Sequence, residues 1–128
     1  MKRGLLLFAH GARDSRWAIP FEDVAERVRE RSPGVPVELA FLEFMVPDLA
    51  QAGHRLAAAG CTQVEVVPLF LGAGGHVRRD VPELLGALEH SHPAVHWNLH
   101  LAVGELDSII EAMAGAAVTL LNDTPHLG

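Results

Sequence analysis

Two largely apolar runs, each leading into a glycine-containing turn with a histidine, constrain this chain most. The first run covers residues 4–9 and is followed by His10 and Gly11. The second covers residues 64–71 and leads into Gly-Ala-Gly-Gly and then His76. Strands that are apolar on both sides are typical of parallel sheets whose two faces are both covered. The two runs therefore indicate neighbouring strands of a buried parallel sheet.

Helical patterns separate the predicted strands. We predict an α/β fold with a single doubly wound, four-stranded parallel sheet, strand order 2-1-3-4 and helices on both faces. One domain is expected over residues 1–122, with a flexible tail over 123–128. The predicted strands cover 4–9, 35–41, 62–71 and 94–103, and the predicted helices cover 17–31, 47–59, 77–89 and 105–121.

The predicted strand order places two histidines at one crevice. Strands 1 and 3 lie side by side where the winding reverses, and ligands bind beyond the carboxyl ends of strands at such a point. His10 and His76 would face each other there, and Glu43 follows strand 2 on the same rim. Two imidazoles and a carboxylate suit a divalent metal such as Co, Ni, Fe or Zn. In the alternative interpretation, His10 bonds to backbone and Glu43 caps a helix.

The glycine loop has a separate interpretation. Gly72, Gly74 and Gly75 permit positive φ angles and close approach of a ligand to the backbone, so we expect clearance for a bulky, flat ligand. A tight strand-to-helix turn remains an alternative. A phosphate loop is a further alternative, although neither the G-x-G-x-x-G spacing nor the P-loop lysine is present.

Composition narrows the class of protein. The formal net charge of −6 argues against a general nucleic-acid binder. One cysteine, Cys61, excludes an intrachain disulfide. No apolar stretch suits a signal peptide or a membrane span, so we expect a cytoplasmic protein without a membrane partner. In strand 4 the polar residues His96, Asn98 and His100 alternate with apolar ones, which predicts an edge strand or a subunit contact.

Three segments resemble a known family. Residues 7–14, Leu-Phe-Ala-His-Gly-Ala-Arg-Asp, resemble the opening motif of the class II tetrapyrrole chelatases. Residues 67–77 resemble their second motif, and residues 42–47 resemble the stretch between the two. The order is the same over nearly the whole chain, and the short CbiX-type sirohydrochlorin cobaltochelatases are the most similar. Residues 103–107 depart from the pattern, because they lack the Gly-x-His-Pro-like turn of many relatives.

The resemblance implies insertion of a divalent metal into sirohydrochlorin, with cobalt first and iron or nickel as alternatives, and no organic cofactor. His10 and His76 would bind the metal. Glu43 would be a third ligand and assist proton removal. Longer relatives join two such halves in one chain, so a chain of this length implies a homodimer.

Other residues would contact the tetrapyrrole. Arg13, Arg16, Arg78 and Arg79 could pair with its carboxylates. Three apolar side chains could pack on the macrocycle beside the glycine loop, namely Phe44, Met45 and Leu71. Solvated surface charges and ordinary core packing are the alternatives. Two other functions stay open: a protein that binds and delivers metal or metallotetrapyrrole, and a phosphate-binding α/β enzyme.

Overall fold

The computed structural model describes residues 1–72 and 74–123, without the side chain of His76. Strands and helices alternate along these residues, as predicted. Short 3₁₀ turns at Ser15–Ala18 and Val103–Glu105 precede the first and last α-helices. The elements in chain order are β1 (Arg3–Ala9), α1 (Ile19–Arg31), β2 (Val37–Phe41), α2 (Leu49–Ala58), β3 (Gln63–Pro68), α3 (Gly75–Ser91), β4 (His96–Leu99) and α4 (Asp107–Asp123).

The described strands form one parallel sheet in the order β2-β1-β3-β4. The predicted order is therefore confirmed, and β4 lies at an edge, as its alternating polar residues indicate. Leu5 lies opposite Val37 on one side and Glu65 on the other. The carboxyl ends of β1 and β3 consequently meet at the middle of the sheet.

Helices cover both faces of the sheet, and each face has its own core. Helices α2 and α3 pack on one face, where Leu6, Phe8, Val64 and Val66 are completely shielded from solvent. Helix α1 packs on the other face, over the β1 and β2 half. Helix α4 contributes no buried residue to either core. No helix among the described residues is long and apolar enough to cross a membrane.

Several element boundaries differ from the predicted ones. Strand β3 ends at Pro68 rather than residue 71, because proline has no amide hydrogen with which to extend the ladder. Strand β4, which pairs with β3 at the edge of the sheet, is also shorter than predicted: four residues instead of ten.

Helix boundaries follow local capping. A 3₁₀ turn begins at Ser15, where the Asp14 carboxylate accepts from the Arg16 amide, and α1 proper begins only at Ile19. Helix α2 begins after Asp48 rather than at the preceding proline, because Asp48 and Gln51 form a reciprocal capping box. Helix α4 extends to Asp123, two residues beyond its predicted end. The remainder of the expected tail, 124–128, lies outside the described residues.

Candidate functional site

Backbone hydrogen bonds join the loops that follow β1 and β2. The Leu42 amide donates to the Ala9 carbonyl at 2.9 Å, and the Glu43 amide donates to the His10 carbonyl at 3.0 Å. These bonds continue the β1–β2 ladder beyond the ends of the strands. The rim of the sheet therefore holds residues 10 and 43 side by side, as the sequence predicted.

Gly11 is the residue that permits this close approach. Its φ is +94°, a conformation that side chains rarely adopt. A Cβ atom at this position would overlap the carbonyl oxygen of Glu43. The glycine after His10 is therefore required by both backbone conformation and space.

The His10 ring lies against an aromatic side chain. Its centroid is 4.3 Å from that of Phe70, with 38° between the two planes. Phe70 is 3% exposed and also contacts Phe8, at 5.7 Å between centroids. One side of the His10 ring is thereby fixed by the core, while the residue itself remains half-buried at the rim.

The loop after β2 displays an aromatic side chain to solvent. Phe44 is 56% exposed and has φ of 66°, an unusual backbone conformation for a residue with a side chain. The Arg13 guanidinium carbon lies 4.6 Å from the centre of its ring, within cation–π range. Strained residues of this kind cluster at functional sites. Phe44 and Arg13 thus form a flat exposed pair next to the two joined loops.

The remaining residues of this loop have different surroundings. Glu43 is exposed, so its side chain is accessible to a ligand and to water. Met45 packs against the core on the α1 side, which was the alternative to ligand packing. On the other side of the rim, Leu71 is 68% exposed.

The glycine loop is open rather than strained. No described atom lies within 4 Å of the position that a Cβ would take at Gly72, Gly74 or Gly75, and none of these glycines has a positive φ. The positive φ angles that glycine permits are therefore not used at these three positions, and the space beside them is open. His76 belongs to the first turn of α3 rather than to a loop, because the helix begins at Gly75. Its side chain lies outside the described part.

The four arginines differ in their surroundings. Arg16 binds Asp14 through Nε and Nη2, at 3.2 and 2.9 Å, and this bond holds the pKa of the Asp14 carboxyl below its ordinary value. Arg16 is therefore already engaged by a carboxylate of its own chain. Arg13 lies over Phe44, while Arg78 and Arg79 are exposed near the start of α3.

Titratable groups elsewhere form no metal site of three or more side chains in the described residues. Leaving aside the His76 side chain, no three His, Cys, Asp or Glu residues of the described part group closely enough to hold a metal ion. On the exposed side of β4, His100 and Asn98 bind the Glu65 carboxylate at 2.8 and 2.9 Å. Sequence analysis noted the polar residues of β4 but not this shared partner.

A cavity of about 400 Å³ lies beside the rim, between α1 and the β2 edge. Three of its charged side chains are engaged: Arg29 donates to the Val37 carbonyl at 2.8 Å, and Arg55 pairs with Glu38 at 3.2 Å. Neither His10 nor Glu43 lines this cavity. The cavity therefore does not contain either of these two candidate metal ligands.

Phe70 is the rim residue that sequence analysis missed. It lies within the apolar run that precedes the glycine loop, and that run gives no signal that one member supports a histidine. The positive φ of Phe44 was missed as well, because phenylalanine does not mark this conformation in a sequence.

Comparison with known proteins places these features in a family. The CbiX family matches residues 4–118. A sirohydrochlorin cobaltochelatase of Methanocaldococcus jannaschii is 38% identical over 88 residues, which cover 69% of this chain and 62% of the relative. A protein with the same description from Saccharolobus solfataricus is 40% identical over 85 residues, covering 65% and 63%. The matched part thus spans about three-fifths of each relative.

Solved structures agree on the fold. The crystal structure of a CbiX protein of Marinobacter aquaeolei VT8 superposes with a TM-score of 0.88 at 32% identity, covering 98% of this chain and all of that one. The chelatase SirB of Bacillus subtilis subspecies spizizenii, in complex with cobalt, superposes with a TM-score of 0.82 at 22% identity. The superposed part covers 94% of this chain and 51% of SirB. At this identity the likeness shows a shared fold alone. The family match over most of the chain, with the rim motifs in place, shows that this protein belongs to the CbiX family.

Proposed function

We propose that this chain inserts a divalent metal, cobalt foremost, into the metal-free tetrapyrrole sirohydrochlorin. The observation that carries the proposal is the pair of loops in which His10 and Glu43 are held side by side at the carboxyl edge of β1 and β2. The relatives named sirohydrochlorin cobaltochelatase support the substrate and the metal. Iron and nickel are the alternative metals.

His10 and His76 bind the incoming metal, and Glu43 is the third ligand. A borderline divalent ion suits this set of two nitrogens and one oxygen. The ring of His10 packs against Phe70, so the imidazole keeps one orientation as metal ions bind and leave. Three protein ligands leave coordination positions for the pyrrole nitrogens, to which the metal must be released.

Proton removal balances the reaction. The free macrocycle carries two pyrrole N–H protons, and both leave as the dication enters, so the ring's charge is unchanged by the exchange. Glu43 is exposed at the rim, and once its bond to the metal is released it accepts one of these protons as a general base and passes it to solvent. One of the histidines can take the other once its bond to the metal is released.

The exposed rim provides a surface on which the flat macrocycle of sirohydrochlorin lies. Phe44 and Leu71 are both exposed to solvent, and the space beside Gly72, Gly74 and Gly75 is open. The carboxylates of sirohydrochlorin pair with the guanidinium groups of Arg13, Arg78 and Arg79. Arg16 takes part only if it exchanges Asp14 for a substrate carboxylate.

The working unit in this proposal is a homodimer of single-domain chains. The fold likeness to SirB supports it, because this chain covers about half of that longer chain. A second copy would supply the other half of the enclosure around the ring. Residues 1–122 form the one domain of each copy.

Spectroscopy with the purified protein tests the proposal. Sirohydrochlorin is mixed with Co²⁺, Fe²⁺ or Ni²⁺ under anaerobic conditions, and the change in its absorption spectrum is followed with and without protein. Catalytic turnover above the spontaneous rate, fastest with cobalt, is expected. Binding of metal or ring without turnover would instead favour a delivery protein.

A further inference from the structure

Two imidazoles lie next to each other on the surface, away from the rim. His54 belongs to α2, and His92 follows the last residue of α3. Their ring centroids are 5.6 Å apart, with 38° between the two planes. Helix α3 begins after β3 and ends before β4, so His92 lies near the amino ends of the strands, whereas the rim lies at their carboxyl ends. The pair is therefore separate from His10 and Glu43.

Close packing of α2 against α3 brings the two imidazoles together. Gly53, which precedes His54, is buried, and a Cβ atom at this position would overlap the side chain of Leu88 in α3. The His92 amide donates to the carbonyl of the same Leu88 at 2.8 Å, and the His92 carbonyl accepts from the Val95 amide at 3.1 Å. Both imidazoles consequently extend from backbone whose position is fixed by the core.

The separation of the two rings suits one shared metal ion. Because metal–nitrogen bonds measure about 2.1 Å and a ring centre lies about 1.1 Å behind its nitrogen, two imidazoles on one ion have centroids at most about 6.4 Å apart. The observed 5.6 Å lies within this limit. Imidazole suits borderline divalent ions such as Ni²⁺, Cu²⁺ and Zn²⁺. His54 is exposed and His92 is half-buried, so water has access to complete the coordination shell.

The charges around the pair also favour a cation. His92 is the C-terminal cap of α3, a helix of 17 residues. The last carbonyl groups of a helix have no partner within it, and they give that end a partial negative charge. Arg55, the cation next to His54 in sequence, is paired with Glu38 at 3.2 Å. A divalent ion beside His92 therefore meets a favourable potential.

We propose that His54 and His92 together bind one borderline divalent metal ion, with water as the remaining ligands. The site joins the middle of α2 to the end of α3. It is a second metal site in addition to the one proposed at the rim, and it does not depend on metal insertion, because it assigns no role to the rim residues. Two protein ligands rather than three make it a site from which the ion exchanges readily.

Tryptophan fluorescence tests the site directly. The ring centroid of Trp97 lies 6.0 Å from that of His92, and Trp97 is 4% exposed. The change Trp17→Phe leaves Trp97 as the single fluorophore. Ni²⁺ has an unfilled d shell and quenches a neighbouring indole, so titration with Ni²⁺ should reduce this fluorescence until the site is saturated. In the same background, His54→Gln and His92→Gln should each weaken Ni²⁺ binding at least about tenfold, since even the loss of a group behind a metal ligand commonly costs that much.

Two further variants in the same background are the controls. His96→Gln removes the histidine next to Trp97 in sequence, but successive side chains of a strand point to opposite faces, so quenching should persist. His10→Ala removes a proposed rim ligand and should leave the quenching unchanged as well. Unaltered Ni²⁺ affinity in either His54→Gln or His92→Gln would overturn the shared site, and so would an equal loss in His96→Gln. Circular dichroism checks folding, and the exposed position of His54 makes His54→Gln decisive even if His92→Gln disturbs the helix end.

Discussion

The imidazole of His10 lies on the ring of Phe70, with 4.3 Å between the two centroids. His10 follows β1 and Phe70 follows β3, so this contact crosses the point at which the sheet reverses its winding. Phe70 is buried and cannot move away, which fixes one side of the histidine. The core thus determines which way the proposed metal ligand faces.

Phe70→Leu should lower metal insertion more than it lowers stability. Leucine keeps the site apolar but no longer supports the imidazole with a flat ring. Phe8→Leu is the matched control, because Phe8 is buried in the same core and touches Phe70. Both should cost less than the roughly 3–5 kcal/mol of a buried Phe-to-Ala change. Denaturant unfolding and insertion rates separate the two effects. If both variants lost the same fraction of the metal-insertion rate, Phe70 would have no specific role in supporting His10.

Gly11→Ala should destabilise the protein more than Gly34→Ala does. Both glycines have positive φ, +94° and +87°, so each alanine costs roughly 1–2 kcal/mol in backbone conformation. At Gly34 a Cβ meets nothing, whereas at Gly11 it overlaps the carbonyl of Glu43. The difference in unfolding free energy therefore measures the close approach of the two rim loops. The same loss at both positions would mean that these loops separate readily.

Acid should destabilise the protein through Glu65. The amide of Asn98, then His100 and Gln63, lower the pKa of this carboxyl from 4.5 to about 2. Because the folded-state pKa lies below the unfolded-state value, the stabilisation is complete above about pH 4.5 and is lost as the pH falls towards 2. Urea unfolding across this window should show a flatter pH dependence in Glu65→Gln. Glu38→Gln, which removes an exposed ion pair with Arg55, is the control and should keep the wild-type slope. If the free energy of unfolding depended on pH in the same way in the unmodified protein and in both variants, the hydrogen bonds to the Glu65 carboxylate would not stabilise the fold.

Glu43→Gln should separate catalysis from binding. The amide keeps the shape of the side chain but removes the base, so insertion should slow by on the order of 100-fold. Binding of sirohydrochlorin, followed by absorbance in the absence of metal, should change little. Parallel loss of binding and rate would assign Glu43 a role in positioning the ring instead.

The fold was largely predictable because its signals are local and repeated. Apolar strands separated by amphipathic helices predict a parallel sheet, and right-handed connections leave few strand orders. The boundaries required contacts that a pattern does not contain. Proline at residue 68 ends β3, and the Asp48–Gln51 capping box rather than Pro47 begins α2.

The rim was predictable only in part. That His10 and Glu43 come together follows from strand order alone, since the ends of parallel strands meet at one edge. The support of His10 by Phe70 depends on side-chain packing across the sheet, and the bond between Arg16 and Asp14 depends on local geometry. Neither leaves a distinct signal in an apolar run or in a cluster of charges.

The rate of cobalt insertion into sirohydrochlorin by His10→Ala tests the central claim most directly. His90→Ala is the matched control, because it removes an exposed imidazole from α3, outside the rim. We predict that His10→Ala remains folded and falls to the spontaneous rate, while His90→Ala inserts cobalt as fast as the unmodified protein. A folded His10→Ala variant with unchanged activity would contradict the account.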